Sequence, residues 1–374
     1  MRRENKSLLP CFYAFFYCGI IMITVGSALP DIRSAYNLSA SAGGALLSCY
    51  SLGNLASGII SGLAVIYLGR KTAITLLAIC ACVGMSMLTS GHVHAILFAG
   101  CVLAGLGRGS MITFSQSIVN SVTGGSAKIT GLLHASFAAG AIIAPLMFSA
   151  LRVISWKAGI FLVVALGVIA AVMFLIPNYP APENGVKSGG SLSFFRDKGF
   201  IVISCLMFLY LCCEFALNGW LVSYMAHKNM PMSYAHSMAS LLWLVMLGGR
   251  LLCAKLSEYV SQEVILLVSC VGSAVSFAFM LMAGGAVNIA VSVALTGFFM
   301  AGISPIIYGA SAPYTNKYPM AMGMLFTFGC VGGTVMPLVT GVIAEHYGFD
   351  GGMSAILVTF GLLIAFSVLN MRRK

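Results

Sequence analysis

Glu214 is the one carboxylate that falls midway along an apolar run of membrane length,...MFLYLCCEFALNGWLVSYM..., between about residues 199 and 226. A charge at the bilayer centre costs at least ~2.5–3.5 kcal/mol on insertion scales, so such groups face a cavity or a partner and often handle protons or solute. Arg108 lies near the middle of another apolar run, and Arg250 lies in a third, nearer its end. Side chains four apart share a helical face, which puts Tyr210 and Asn218 beside Glu214 and continues the Arg108 face to Ser115. Burial opposes a charged carboxyl, whereas a neighbouring guanidinium favours it. A carboxyl held between these effects can exchange its proton with the state of a bound solute. The alternative is a permanent ion pair tying two helices together.

The elements that must carry these residues are membrane helices. The chain has 374 residues, of which 60% are hydrophobic and 8% charged, with a mean hydropathy of +1.00; soluble domains carry roughly 25% charged residues. A span needs about 20 apolar residues. Twelve segments fit, at approximately 9–30, 42–67, 72–90, 94–121, 128–151, 156–176, 199–226, 236–257, 263–283, 288–313, 320–345 and 351–370. Between them the one extended connection is 177–198, rich in Pro, Gly and Ser. The fold class is therefore an all-α membrane protein of twelve transmembrane helices in two six-helix bundles, residues 1–176 and 199–374, joined by the linker 177–198.

Loop Lys and Arg set orientation. Fourteen fall on the side of the termini and linker, four on the other, and Arg108 and Arg250 lie within spans. Both termini and the linker are thus expected to be cytoplasmic, in a multi-pass protein of the cell (inner) membrane. The net charge of +11 then reports topology and anionic headgroups and requires no nucleic acid. Twelve cysteines lie mostly in apolar runs without paired CxxC spacing, which speaks against disulfide and zinc frameworks. Gly105-x-Gly107-x-Gly109 lies inside a long apolar helix rather than in a strand–turn–helix, and there is no phosphate-binding Gly-x4-Gly-Lys-Ser/Thr loop. No enzyme activity, cofactor or metal is expected, and any transport would draw on a gradient or be passive. The expected partners are a small solute, protons and the bilayer, with the chain acting as a monomer.

An offset of 192 residues superposes the halves: Gly131, Leu133, Gly140, Pro145 and Leu146 fall on Gly323, Leu325, Gly332, Pro337 and Leu338. Parallel repeats about an axis along the membrane normal are one transporter architecture, with the solute near the midplane between rocking halves. Twelve spans, six plus six, resemble the major facilitator superfamily over the whole length. Gly62 through Gly69-Arg70-Lys71 resembles its loop signature, although the acid of that signature falls at Ile66 here. Four stretches resemble the fucose– and glucose–proton symporter branch: Leu132–Phe137 through Gly140 and Pro145, Glu214 through Asn218-Gly219-Trp220 and Tyr224, Gly249-Arg250, and Leu325–Phe328 through Gly332-Gly333 and Pro337-Leu338. In that branch the acid of the seventh helix serves sugar binding and proton coupling, a role the resemblance implies for Glu214. The acids that fucose members carry in the first and fourth helices are absent from Thr24–Ser27 and Gly105–Gly109.

The resemblance further implies that the first, fourth, seventh and tenth helices line a central cavity. Glu214 and Arg108 would meet across it as the proton-coupling pair. Asn218, Trp220, Tyr210, Ser115, Tyr308 and Thr24 would meet the solute; Ser304 and Tyr17 are near, and Pro305 frees a backbone carbonyl. An alternative for Trp220 is an interfacial anchor. Arg250, His134, Gly140, Pro145, Gly332, Pro337, Gly69 and Arg70 are read as gating or structural, with His134 either titrating near neutrality or packing. The leading expectation is proton-coupled uptake of a small polar solute such as a sugar or sugar derivative. A proton-driven exporter of drugs or metabolites and an organic-anion transporter remain open, and a receptor of transporter ancestry is a further class.

Overall fold

The computed structural model describes residues 5–90, 93–124, 126–177, 179, 196–315 and 318–373. Of the expected linker, residues 178 and 180–195 lie outside the described residues. The helices are α1 (Asn5–Ala35), α2 (Ala40–Leu68), α3 (Arg70–Met87), α4 (His94–Thr123), α5 (Ala127–Arg152), α6 (Trp156–Leu175), α7 (Lys198–His227), α8 (Met232–Leu256), α9 (Gln262–Met282), α10 (Ala286–Met300), α11 (Ile303–Ala310), α12 (Ala312–Thr315) and α13 (Pro319–Met371). Among the described residues no strand occurs.

Among the described residues, eleven helical stretches are long and apolar enough to cross a bilayer. One of them, Ala286–Tyr314, joins α10 to α12 end to end. It breaks just ahead of Pro305, whose missing N–H leaves the carbonyl of Ala301 without a helical donor. Another, Ala321–Met371, has 51 residues. At ~1.5 Å per residue that is ~76 Å, more than twice a ~30 Å hydrocarbon core. Gly348, at φ 77°, divides it into two crossings, 319–347 and 349–371, which brings the total to the twelve expected.

The connections are short and capped. Ser39 accepts from the amide of Ala42 at 3.2 Å at the start of α2, and Ser155 accepts from that of Lys157 at 3.3 Å before α6. Gly69 turns α2 into α3 at φ 76°, a conformation that costs a residue with a Cβ. Asp197 caps α7 at Gly199 (2.6 Å) and also receives the Tyr314 hydroxyl (2.9 Å). Those two bonds, aided by Arg373 at 3.8 Å, hold its carboxyl below the usual range.

The repeat is a true structural symmetry. A Cβ on Gly140 would lie 1.9 Å from the carbonyl oxygen of Phe16, and one on Gly332 would lie 2.3 Å from that of Phe208. Gly105 meets Tyr50 as Gly297 meets Leu242. Each pair of contacts is related by the same 192-residue offset. Gly26 of α1 meets the backbone of Asn218 of α7, and these two residues are themselves offset mates. A residue touching its own repeat partner marks the axis, which passes between α1 and α7.

Around that axis the halves seal at the end away from the termini. Gly44 of α2 lies against the Pro337 carbonyl. Glu345 accepts the Ser41 amide at 2.9 Å, and Ser240 of α8 donates to the Ile142 carbonyl of α5 at 2.8 Å. Buried positions of α2 run from Ala40 to Ser61, whereas Ile59, Leu63 and Ile66 near its other end are exposed. The halves therefore part toward the end that carries the termini.

Candidate functional site

A cavity of about 450 Å³ lies between the halves. Its depth is buried and its rim is open: Glu214 is 7% and Arg108 6% exposed, whereas His134, Thr113, Pro305 and Phe326 on its lining are exposed. It thus opens toward the end of the molecule that holds both termini. The walls come from α1 (Phe15, Met22), α2 (Asn54), α4 (Arg108), α5 (His134, Phe137), α7 (Tyr210, Glu214), α8 (Trp243, Arg250), α11 (Ser304, Tyr308) and α13 (Phe326, Cys330).

Arg108 is held on three sides. Its Nη1 donates to Oδ1 of Asn54 at 2.8 Å, its Nε to the Cys18 carbonyl at 3.3 Å, and its Nη2 approaches the Met22 sulfur at 3.3 Å. The guanidinium also lies 5.5 Å from the centre of the Phe137 ring. All of these groups are neutral, so among the described residues this buried cation has hydrogen-bond partners but no counter-ion in its own half.

The ion partner of Glu214 is Arg250, at 4.0 Å, not the Arg108 expected from sequence. Arg108 is directed to Asn54, while Arg250, read as a gating residue nearer the helix end, lies in the cavity. Its guanidinium sits 5.8 Å from the Trp243 ring centre. The Tyr210 hydroxyl is buried beside Glu214 and Ser304 and lines the cavity, as do Tyr308 and Ser304.

Four expected solute contacts lie elsewhere. Trp220 is fully buried and donates to the Pro337 carbonyl at 3.0 Å; it packs the sealed end between the halves and is neither a stacking platform nor an interfacial anchor. Thr24 turns its hydroxyl back to the Ile20 carbonyl at 2.7 Å. Ser115 is buried away from the cavity. Asn218 donates to the Glu214 carbonyl at 2.8 Å and accepts the Trp243 indole N–H at 2.9 Å, so it positions Trp243 from behind. Tyr17 is likewise buried against α6, near Gly167.

His134 lines the rim with its ring edge-on to Phe15 at 5.4 Å. Gly140 and Gly332 carry the α1–α5 and α7–α13 crossings described above. Pro337 presents its carbonyl to Trp220, and Pro145 lies within α5. Arg70 donates to Ser117 at 2.8 Å, tying the α2–α3 turn to α4. Asn54, Trp243 and Phe137 were not anticipated. Trp243 and Arg250 are seven apart, two turns on one face of α8, and that spacing was the available signal.

A dozen membrane crossings about a two-fold axis, with a polar cavity on that axis, are the architecture of a membrane transporter. The chain belongs to the Major Facilitator Superfamily, whose model matches residues 11–295; it is a multi-pass transporter of small solutes and not an enzyme. Two relatives come from Bacillus subtilis. A putative niacin/nicotinamide transporter is 25% identical, covering 85% of this chain and 83% of the relative. A hexuronate transporter is 22% identical, covering 98% and 95%. Among solved structures, a bacterial homologue of the human lysosomal transporter Spinster, inward-facing and unoccupied, superposes with a TM-score of 0.82 at 14% identity, covering 99% and 97%. A single-residue variant of the Escherichia coli fucose:proton symporter superposes with a TM-score of 0.65 at 16% identity, covering 98% and 99%. At those identities the structural likeness is one of fold.

Proposed function

We propose that this protein carries a small organic anion, a sugar acid being the favoured class, across the cell membrane together with a proton. The observation that carries this reading is the charge of the cavity: guanidinium groups on two walls, Arg108 and Arg250, face a single carboxylate among the described residues, Glu214. Such a lining leaves one positive charge unmatched, which a carboxylate-bearing solute satisfies and a neutral sugar does not. The Phe137 and Trp243 rings supply apolar faces for a sugar ring or an aromatic one, and the Tyr210 hydroxyl beside Glu214 supplies a directional contact. The name of the hexuronate-transporting relative agrees with this class.

The mechanism follows from competition for Arg250. Empty, the cavity holds Glu214 against Arg250. A solute carboxylate that takes Arg250 leaves Glu214 buried without its counter-ion, where only the protonated form is tolerable. Anion and proton therefore enter together. Arg108, already positioned by Asn54, holds the solute from the opposite half and lets the halves close around it. With the positive-inside orientation, the open rim faces the cytoplasm, and the sealed end with Trp220 faces outward.

Purified protein in liposomes under an inward proton gradient tests this. Labelled hexuronate is expected to accumulate, with unlabelled carboxylates competing and neutral hexoses not. Glu214→Gln is expected to abolish accumulation while preserving counterflow exchange. Uptake of neutral sugars untouched by sugar acids, extrusion of a cationic dye, or full accumulation by Glu214→Gln would each overturn the reading.

A further inference from the structure

Among the described residues the cavity mechanism leaves one buried imidazole unused. His236, on α8 near the sealed end, is 0% exposed, and neither ring nitrogen has a hydrogen-bond partner among the described residues. Buried polar groups are nearly always bonded, and each exception needs a physical reason. Its ring packs on Phe148 of α5, the centroids 5.4 Å apart, in the same inter-half seam where Ser240 meets the Ile142 carbonyl. The charged groups that face it are Asp31 of α1 and Arg152 of α5. These two already satisfy each other through three contacts of 2.8–3.0 Å, so neither is free to serve the imidazole.

The symmetry sharpens the anomaly. The repeat mate of His236 is Gly44, which packs so closely on the Pro337 carbonyl that a Cβ would lie 2.6 Å from it. One seam is therefore closed by a glycine on backbone and its mate by a histidine on a phenylalanine. Packing alone is served by an apolar ring at this place. The imidazole adds only a group that must be neutral when the seam is shut, since a buried charge without a partner is strongly penalised.

We propose that His236 is a second proton-binding site, reachable from the outer solution only when the α5–α8 seam is open, and that it must be unprotonated for that seam to close. Protonation holds the outer end open. The sign follows from linkage: the open form binds the proton and the closed form does not, so acid favours open. Imidazole in water titrates near pH 6.5. Below that value the open-to-closed ratio is expected to rise up to about tenfold per pH unit for one proton, and above it to level off.

This inference rests on the alternating-access reading but not on the identity of the solute, so its test uses none. Spin labels carried by non-natural amino acids at Ile154 and Val287, exposed positions in opposite halves, leave the native cysteines in place. Distances in liposomes or nanodiscs are followed from pH 8 to pH 5. The wild type and Glu214→Gln are both expected to lengthen as pH falls. His236→Phe, which fits beside Phe148, is expected to stay short at every pH. His236→Gln, uncharged but polar, is expected to be equally insensitive to pH and guards against a packing artefact of phenylalanine. Lengthening in both His236 variants, or no pH response in the wild type, overturns the inference. Counterflow exchange measured on the same samples reports separately whether the transporter still alternates, so loss of this site and loss of the transport reading are distinguishable.

Discussion

Arg108 shows how a buried cation is tolerated without a salt bridge among the described residues. Three neutral groups take its donors, and the ring of Phe137 takes its face. The Asn54 contact is the shortest of the three hydrogen bonds, and a bond to a charged group contributes about 1.5–3 kcal/mol. Asn54→Ala is therefore expected to weaken solute binding roughly 10- to 100-fold while leaving proton coupling intact, because Glu214 and Arg250 are untouched. Arg108→Lys is expected to fail more severely, since an ammonium cannot reproduce the planar fork that reaches Asn54 and Cys18 together. Half-saturation in counterflow exchange measures both; an unchanged value for either variant would remove Arg108 from the solute site. Glu214 was legible in the sequence because an isolated acid at mid-span costs too much to be kept for packing alone. Its partner was not, because depth along a helix says nothing of the direction in which a long Arg side chain extends. Trp220 and Trp243 were indistinguishable in kind, and only the packing of α7 on α13 assigns one to the seal and the other to the cavity.

At the scale of the element, glycines perform two different tasks that the sequence alone does not separate. Gly105 lets α4 cross α2 within one half, where a Cβ would lie 1.9 Å from the Tyr50 carbonyl. Gly26 lets α1 meet α7 across the axis, where a Cβ would lie 2.3 Å from the Asn218 carbonyl. Overpacking a fixed crossing costs typically about 1–3 kcal/mol. Gly105→Ala is thus expected to lower the melting temperature of the purified protein. Gly26→Ala has an escape, because the halves can part at this end. It is expected to keep its melting temperature and instead shift the Ile154–Val287 distance to the longer population. Equal loss of thermal stability in both variants would mean that the seam at Gly26 is as permanent as a bundle core. The twelve crossings and the repeat were readable from hydropathy and the Gly-x4-Pro-Leu offset. The break at Gly348 falls between the spans read at 320–345 and 351–370, whereas the division of the span read at 288–313 into α10, α11 and α12 is absent from that reading.

For the whole molecule, the proposed alternating-access cycle turns on the charge that moves when the halves rock. Two guanidiniums and one carboxylate give the empty cavity a charge of +1. Adding a monoanionic solute together with a proton on Glu214 leaves that value unchanged, so loaded and empty carriers cross with the same charge. Transport of a monocarboxylate is then electroneutral. Its accumulation at equilibrium is expected to follow the proton gradient alone, about tenfold per pH unit, with no response to an imposed membrane potential. A neutral sugar carried with one proton would raise the cavity to +2 and make the cycle electrogenic. At ~2.3 kcal/mol per elementary charge per 100 mV, accumulation would then change about 50-fold for each 100 mV. Liposomes in which potassium and valinomycin set the potential while buffers set the pH difference separate the two cases. A steep voltage dependence of hexuronate uptake would show that the cavity charge is not conserved through the cycle, and would refute the exchange of Arg250 between Glu214 and solute on which the mechanism depends.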